Sequence, residues 1–297
     1  MKHVFLWLHM IRWKNLLLIL LCQFLFKYRV FTFFNTTQNL SDFQFYLLVF
    51  SILCIAAGGY IINDVFDIDC DKINKPDKVY IPNKISKKSA KFLYIISTCL
   101  GVIYGIMLSV LTGKFHHIFT FLMVVFLLFF YSSSLKKLAF LGNIVIASLI
   151  GFTLFILIDF ETSFSDTNPG VLLTIQFAYF AFYLNLLREI IKDLEDQKGD
   201  YKANMKTLPI LLGSKRTINL LLVLSLFPIY PIINFGLRNL DQKLSAKIIY
   251  FTFIAFPYFL YLYKLYSSKH KKDFEKISKL LKLILALGLF LLIIITS

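Results

Sequence analysis

Stretches of mostly apolar residues recur along nearly the whole chain, each of about 20 residues and so long enough to cross a bilayer core of roughly 30 Å. Nine spans can be drawn, at approximately 16–34, 43–63, 92–111, 118–131, 138–160, 171–191, 218–235, 248–266 and 280–296. Inside lipid the backbone finds no water to hydrogen-bond, so spans of this kind must be helices. The expected fold is therefore all-α: a polytopic membrane bundle of about nine transmembrane helices, with residues 1–297 forming one domain and no separate soluble part. Composition supports this, since 58% of residues are hydrophobic and only 16% charged, against about a quarter charged in soluble domains.

A net charge of +15 would by itself suit nucleic acid, but its distribution argues for a lipid bilayer as the partner and no nucleic acid. Basic residues gather in alternate connections. Lys2, Arg12 and Lys14 lie in the N-terminal segment, and Lys72, Lys75, Lys78, Lys84, Lys87, Lys88 and Lys91 lie in the second loop. Lys136 and Lys137 fill the fourth, six Lys or Arg occupy 192–216, and Lys269, Lys271, Lys272, Lys276 and Lys279 mark the eighth. The intervening loops hold few; Arg238, Lys243 and Lys247 in the seventh are the main exceptions. The positive-inside rule then predicts a multi-pass protein of the cell (inner or plasma) membrane with its N-terminus and even loops in the cytoplasm. Lys27 and Arg29 fall inside the first span and are expected to snorkel to the outer interface. Cys22, Cys54, Cys70 and Cys99 show no metal-binding spacing and read as small packing residues. His116 and His117, at an outer helix start, read as interface polarity.

The chemistry gathers in two acidic motifs. The first runs Asn63-Asp64-Val65-Phe66-Asp67-Ile68-Asp69-Cys70-Asp71; the second runs Asp193-Leu194-Glu195-Asp196-Gln197-Lys198-Gly199-Asp200. In both, three aspartates are spaced three and then four apart. At about 100° per residue, such positions fall within roughly 60° of one another on a helix face. Each motif is thus expected to project a stripe of three carboxylates, Asp64, Asp67 and Asp71 in one and Asp193, Asp196 and Asp200 in the other, with Asn63 one turn before Asp67.

A carboxylate stripe at a membrane boundary is unfavourable alone, because like charges repel and desolvation penalises each. A divalent cation offsets both costs. Mg²⁺ takes oxygen ligands, typically one or two carboxylates together with substrate phosphates and water. Asn63 and the six aspartates are accordingly the expected metal ligands and catalytic residues. Direct cationic and polar contacts to a diphosphate are expected from Lys72, Lys192 and Arg188, from Tyr131, Lys136 and Lys137 at the end of span four, and from Arg12 and Asn15 at the start of span one. Arg188 lies inside an apolar run, where an ionisable residue marks a functional site by default. The chemistry that suits these parts is departure of diphosphate from an allylic carbon, with the leaving charge stabilised electrostatically and water excluded by the bundle.

These residues resemble the UbiA family of intramembrane prenyltransferases. That family's motifs, N-D-x-x-D-x-x-x-D and D-x-x-D-x-x-x-D, match Asn63, Asp64, Asp67 and Asp71, and Asp193, Asp196 and Asp200. The likeness extends to the end of span four, Tyr131 to Lys136, and to Leu141-Gly142-Asn143. It implies transfer from a polyprenyl diphosphate, use of Mg²⁺, and an active site at the cytoplasmic face open to lipid. The stretches 71–78, 188–200 and 207–209 are similar to the branch that transfers a geranylgeranyl group to geranylgeranylglyceryl phosphate. The loop that follows departs from this branch, with Lys78-Val79-Tyr80-Ile81-Pro82-Asn83 where the family has Arg-Pro-Ile-Pro-Ser-Gly. An aromatic acceptor, as in quinone or chlorophyll-type biosynthesis, therefore stays open beside the lipid acceptor. A cation transporter is the reading from another class. Transporter sites usually sit near the bilayer midplane, whereas both motifs here lie at span ends. Oligomeric state is not encoded in these patterns.

Overall fold

The apolar stretches are helical throughout a computed structural model that describes residues 2–76, 79–164, 167–238 and 244–296, with side chains from Leu6 onward except that of Arg238. Lys78 and Lys243, named above, lie outside the described residues. In chain order the helices are α1 (Lys2–Met10), α2 (Trp13–Leu25), α3 (Asp42–Phe66), α4 (Ile68–Asn74), α5 (Lys87–Leu111), α6 (His116–Ser133) and α7 (Leu141–Glu161). They continue as α8 (Pro169–Lys202), α9 (Leu208–Leu212), α10 (Ser214–Leu224), α11 (Ile229–Arg238), α12 (Leu244–Tyr250), α13 (Phe256–Tyr266) and α14 (Lys271–Ile295).

Among the described residues, eight helical segments are long and apolar enough to cross a membrane: α3, α5, α6, α7, α8, Ser214–Leu237, Leu244–Tyr266 and α14. The first expected span is different. Helix α2 passes into a π-helical segment, Phe26–Phe31, that carries Lys27 and Arg29. Lys27 does not snorkel. Its side chain is 2% exposed and pairs with Glu161, which is fully buried. Lys27 also donates to the Leu40 carbonyl at 2.9 Å, and the Leu40 amide donates to Glu161 Oε2 at 3.1 Å. A charge this deep persists only with its donors and acceptors satisfied, so a buried partner 134 residues away replaces the interface as its destination.

Helix ends are set by local chemistry. Ser41 and Gln44 form a reciprocal capping box that starts α3, Ser86 caps α5, and Asn168 caps α8 with Pro169 at its first position. At the same end of the bundle as the Ser41 cap, His117 Nε2 lies 2.5 Å from Asp159 Oδ2 and ties α6 to α7.

Helices α3 and α8 hold the centre, with 67% of their apolar windows buried against 17% for α6, whose Phe119 and Phe126 face outward. Close approach of α3 and α5 depends on Gly101. A Cβ there would stand 2.6 Å from Ile55 Cγ1 and 3.0 Å from the Ser51 carbonyl oxygen, and the Ser51 hydroxyl donates to the Gly101 carbonyl at 2.7 Å. Small residues of this kind let membrane helices pack backbone to backbone.

The two acidic motifs are not equivalent, because only the second keeps the single helix that both were expected to have. The sixth connection was expected to begin at Lys192, but α8 runs on to Lys202 because Ile190, Ile191 and Leu194 continue its buried face past the first acids. Asp193, Asp196 and Asp200 therefore share one unbroken helix. The first motif instead straddles a break. Asp64 lies in the last turn of α3, Asp67 sits at φ −90° and ψ 0°, and Asp71 belongs to α4. Helical hydrogen bonding bridges the break, from the Asp67 amide to the Asn63 carbonyl at 2.9 Å and from the Asp71 amide to the Asp67 carbonyl at 2.8 Å.

Candidate active site

Asn74 fastens helix α4 to the backbone of α8. Asn74 Nδ2 donates to the Asp196 carbonyl at 2.8 Å, and Asn74 Oδ1 accepts from the Gly199 amide at 2.9 Å. Gly199 is required there, because a Cβ would collide with the Asn74 amide group. The Cys70 thiol donates to Asp200 Oδ1 at 3.3 Å, so the cysteine read as a packing residue also touches the acid set. The result is one cavity of about 870 Å³ lined by all six motif aspartates, Asp64, Asp67, Asp71, Asp193, Asp196 and Asp200, and by Asn63.

Five of the six motif aspartates meet a partner from another part of the chain, Asp200 through Cys70. Arg12 Nη2 lies 3.1 Å from Asp64 Oδ1, with its guanidinium 4.9 Å from the centre of the Tyr60 ring. Arg12 adopts a left-handed backbone at φ 52° between α1 and α2, an uncommon conformation outside glycine. Lys136, on the short turn Leu135–Lys137 after α6, pairs with Asp67, whose other oxygen accepts from Asn63 Nδ2 at 2.7 Å. Lys75 Nζ reaches Asp196 Oδ2 at 2.6 Å, and Asn143 Nδ2 donates to Asp193 Oδ2 at 2.9 Å. Arg188 and Lys192 both contact Glu189, at 3.1 and 2.6 Å.

Outside the spans, burial followed by the neighbouring Asp67 pushes the Asp71 carboxyl up to about 6, with Lys75 opposing. Burial alone would depress the Lys75 ammonium, but Asp196 and Glu195 outweigh it and hold the group above its ordinary value. Burial raises the Cys70 thiol, reinforced by Asp200.

The donor set suits a hard divalent cation. It consists of carboxylate and amide oxygens, the ligands Mg²⁺ prefers. Two of these oxygens, Asp196 Oδ1 and Asn63 Oδ1, are buried with no hydrogen-bond donor. A buried acceptor without a partner costs about 1–3 kcal/mol, and a bound cation would remove that cost.

Of the cationic and polar residues expected from the sequence, Arg12, Asn15, Tyr131, Lys136, Arg188 and Lys192 line the cavity. Lys72 and Lys137 do not. Lys72 points outward on α4 and pairs with the exposed Asp69 at 3.2 Å, because the turn that aims Asp71 inward carries the next residue about 100° away. Lys137 is exposed, and its carbonyl accepts from the Lys206 amide at 2.8 Å. Two lysines outside that expected set, Lys75 and Lys282, also line the cavity, and Lys282 bonds Asn15 Oδ1 at 2.5 Å. Lys282 sits within an apolar run and was visible on that ground; Lys75 looked like one more basic loop residue. Away from the acids the lining turns apolar, with Leu18, Ile19 and Cys22 of α2, Ile52 and Ile55 of α3, and Phe121, Val124 and Leu128 of α6. From Asp64 back to Ile52 the wall extends about 18 Å along α3, room for an extended hydrocarbon chain.

Similar proteins share this architecture. The chain is 33% identical over 243 residues to a digeranylgeranylglyceryl phosphate synthase of Methanosphaera stadtmanae, covering 80% of this chain and 84% of that protein. It is 37% identical over 188 residues to the synthase of the same name from Saccharolobus solfataricus, covering 62% and 64%. Among solved structures, one described as digeranylgeranylglyceryl phosphate synthase in membranes superposes with a TM-score of 0.62 at 24% identity, covering 100% of this chain and 99% of that one. A UbiA homologue from Archaeoglobus fulgidus bound to GPP and Mg²⁺ superposes with a TM-score of 0.59 at 19% identity, covering 97% and 99%. Both show the same fold. With residues 10–292 matching the UbiA prenyltransferase family, and both of that family's acidic motifs lining a single intramembrane cavity, the chain belongs to the UbiA prenyltransferase family.

Proposed function

We propose that this prenyltransferase moves a geranylgeranyl-type group from its diphosphate to the free hydroxyl of a glycerol phosphate lipid such as geranylgeranylglyceryl phosphate, with Mg²⁺ held by Asn63 and the six aspartates at the cytoplasmic face. The observation that carries the reading is the convergence of Asp64, Asp67, Asp71, Asp193, Asp196 and Asp200 at one end of a cavity whose other end is apolar. The names of the relatives point to the same acceptor class.

In the reaction the bond between C1 of the prenyl chain and its diphosphate oxygen breaks, and the diphosphate leaves with the electron pair. The acceptor oxygen bonds C1 and releases its proton, giving an ether, diphosphate and H⁺. Bound Mg²⁺ supplies positive charge to the departing diphosphate. Arg12, Lys136 and Lys192 add fixed cations at the polar end, where they need no reorganisation as charge develops. The apolar wall orients the chain and keeps water from the allylic carbon. Tyr60 and Tyr131 also line the cavity, and aromatic rings suit a cationic carbon.

Purified chain incubated with geranylgeranyl diphosphate and geranylgeranylglyceryl phosphate should form the diether lipid and free diphosphate, and EDTA should stop both. A prenylated aromatic product without ether lipid would transfer the assignment to the aromatic branch. Metal-dependent cation flux without diphosphate release would reject transferase chemistry.

A further inference from the structure

Lys282 lies eleven residues into α14, roughly 16 Å along the helix, among Leu280, Leu281, Leu283 and Ile284. Its ammonium faces the cavity and is held by the neutral Asn15 Oδ1 at 2.5 Å; no carboxylate among the described residues ion-pairs with it. The charged side chains that act on it are Arg188, Lys14 and Arg12, all cations. Arg188 spends one terminal nitrogen on Glu189, but its Nε is buried and donates to nothing. The stretch of wall around Lys282 and Arg188 therefore carries a cation without a carboxylate partner and an unused buried donor. Nearby cations are already engaged: Arg12 by Asp64, Lys192 by Glu189, and Lys279 by Glu275. Surplus charge at this depth is costly unless an anion joins it.

The anion that fits is one that ammonium and guanidinium groups bind directly, without a metal. A phosphate monoester has three acceptor oxygens for this purpose. Beyond Lys282 the same wall turns apolar at Leu285, Ala286 and Leu289 of α14, so a ligand with a phosphate head and a hydrocarbon tail matches its polarity. We infer that Lys282, with Arg188 and Asn15, forms a second anion subsite that takes the phosphate of the acceptor lipid and not the diphosphate of the donor. The inference rests on the proposed function for the identity of the lipid. It assigns the two anions of the reaction to two places: the donor diphosphate to the acids of α3, α4 and α8, and the acceptor phosphate to Lys282 of α14 with Arg188 and Asn15.

Binding separates this from the transfer reaction. The probes are a glycerol monophosphate ether lipid and its dephosphorylated counterpart, titrated against the detergent-solubilised full chain in EDTA. The wild-type protein should bind the phosphorylated lipid more tightly. Lys282→Gln should weaken that binding about tenfold or more, the scale of a lost charge-assisted hydrogen bond, and Lys282→Arg should retain most of it. Affinity for geranylgeranyl diphosphate with Mg²⁺ should be unchanged in both variants. Equal wild-type affinity for the two lipids overturns the subsite, even where a variant fails to fold. So does a Lys282→Gln protein that keeps phosphate affinity or loses donor affinity instead. Failure of the proposed function reads differently: wild-type protein that makes no ether lipid, whatever it binds.

Discussion

Lys75 Nζ lies 2.6 Å from Asp196 Oδ2, so the residue that follows α4 ion-pairs with the central acid of the second motif. With Lys136 on Asp67 in the first motif, the middle aspartate of each set meets a cation from a different segment. These acids are expected to serve chemistry more than folding, because their side chains are only 18% and 20% exposed yet Asp196 keeps one oxygen unbonded. Asp67→Ala and Asp196→Ala should each cut turnover by about 10²–10³-fold or more, the scale of losing one preorganised electrostatic contact. Gel-filtration profiles should stay those of the wild type. Wild-type rates in both variants would reject their assignment as metal ligands.

Asn74 makes no expected contact with substrate, yet it should matter to both stability and rate. Its two hydrogen bonds to the α8 backbone hold Asp71 opposite Asp196 and Asp200. Asn74→Ala should cost about 1–3 kcal/mol, the loss of two modest hydrogen bonds to buried backbone groups. The same change should lower kcat several-fold. Gly199→Ala should reproduce the effect through collision with Asn74. Thermal unfolding beside initial rates checks this; a rate loss at unchanged stability would mean that Asn74 acts on substrate directly.

The six aspartates were legible because their spacing is local. A separation of three and four residues means the same face wherever a helix runs through it, and α8 runs through Asp193–Asp200 unbroken. The break at Asp67 left no comparable trace, since Ile68 and Asp69 are compatible with a continuing helix. That break sets where α4 points its side chains, and so which lysine enters the cavity: Lys75, not Lys72. Lys27 failed for a different reason. Its destination depends on Glu161, and no local pattern links residues 134 positions apart. Lys282 did carry a signal, a charge within an apolar run, but the span reading absorbed it as part of 280–296.

Divalent metal should stabilise the folded chain through the same acids. A ligand that binds only the folded state adds about 2.7 kcal/mol at a hundred times its Kd. Mg²⁺ together with a non-hydrolysable prenyl diphosphate should therefore raise the thermal midpoint by several degrees, and EDTA should return it. The double variant Asp67→Asn/Asp196→Asn should lose the shift, and its midpoint without metal should fall below that of the wild type, because Lys136 and Lys75 lose their carboxylate partners. A full Mg²⁺ shift in the double variant would place the metal elsewhere.

The Lys27–Glu161 pair offers the opposite test, a site of stability remote from chemistry. Helix α3 begins beside it at Asp42 and reaches the acids at Asp64, about 33 Å away along the axis. Both side chains are almost fully buried, and Glu161 also accepts the Leu40 amide that orients the 35–41 connection. Lys27→Met alone should cost about 3–5 kcal/mol, because it strands a buried carboxylate. The double variant Lys27→Met/Glu161→Gln should recover much of that loss, since a neutral amide can still accept from Leu40. Turnover per folded molecule should match the wild type in both, measured after removal of aggregate. A rate loss in the stable double variant would show that this end of the bundle communicates with the acidic cavity through α3 or α7.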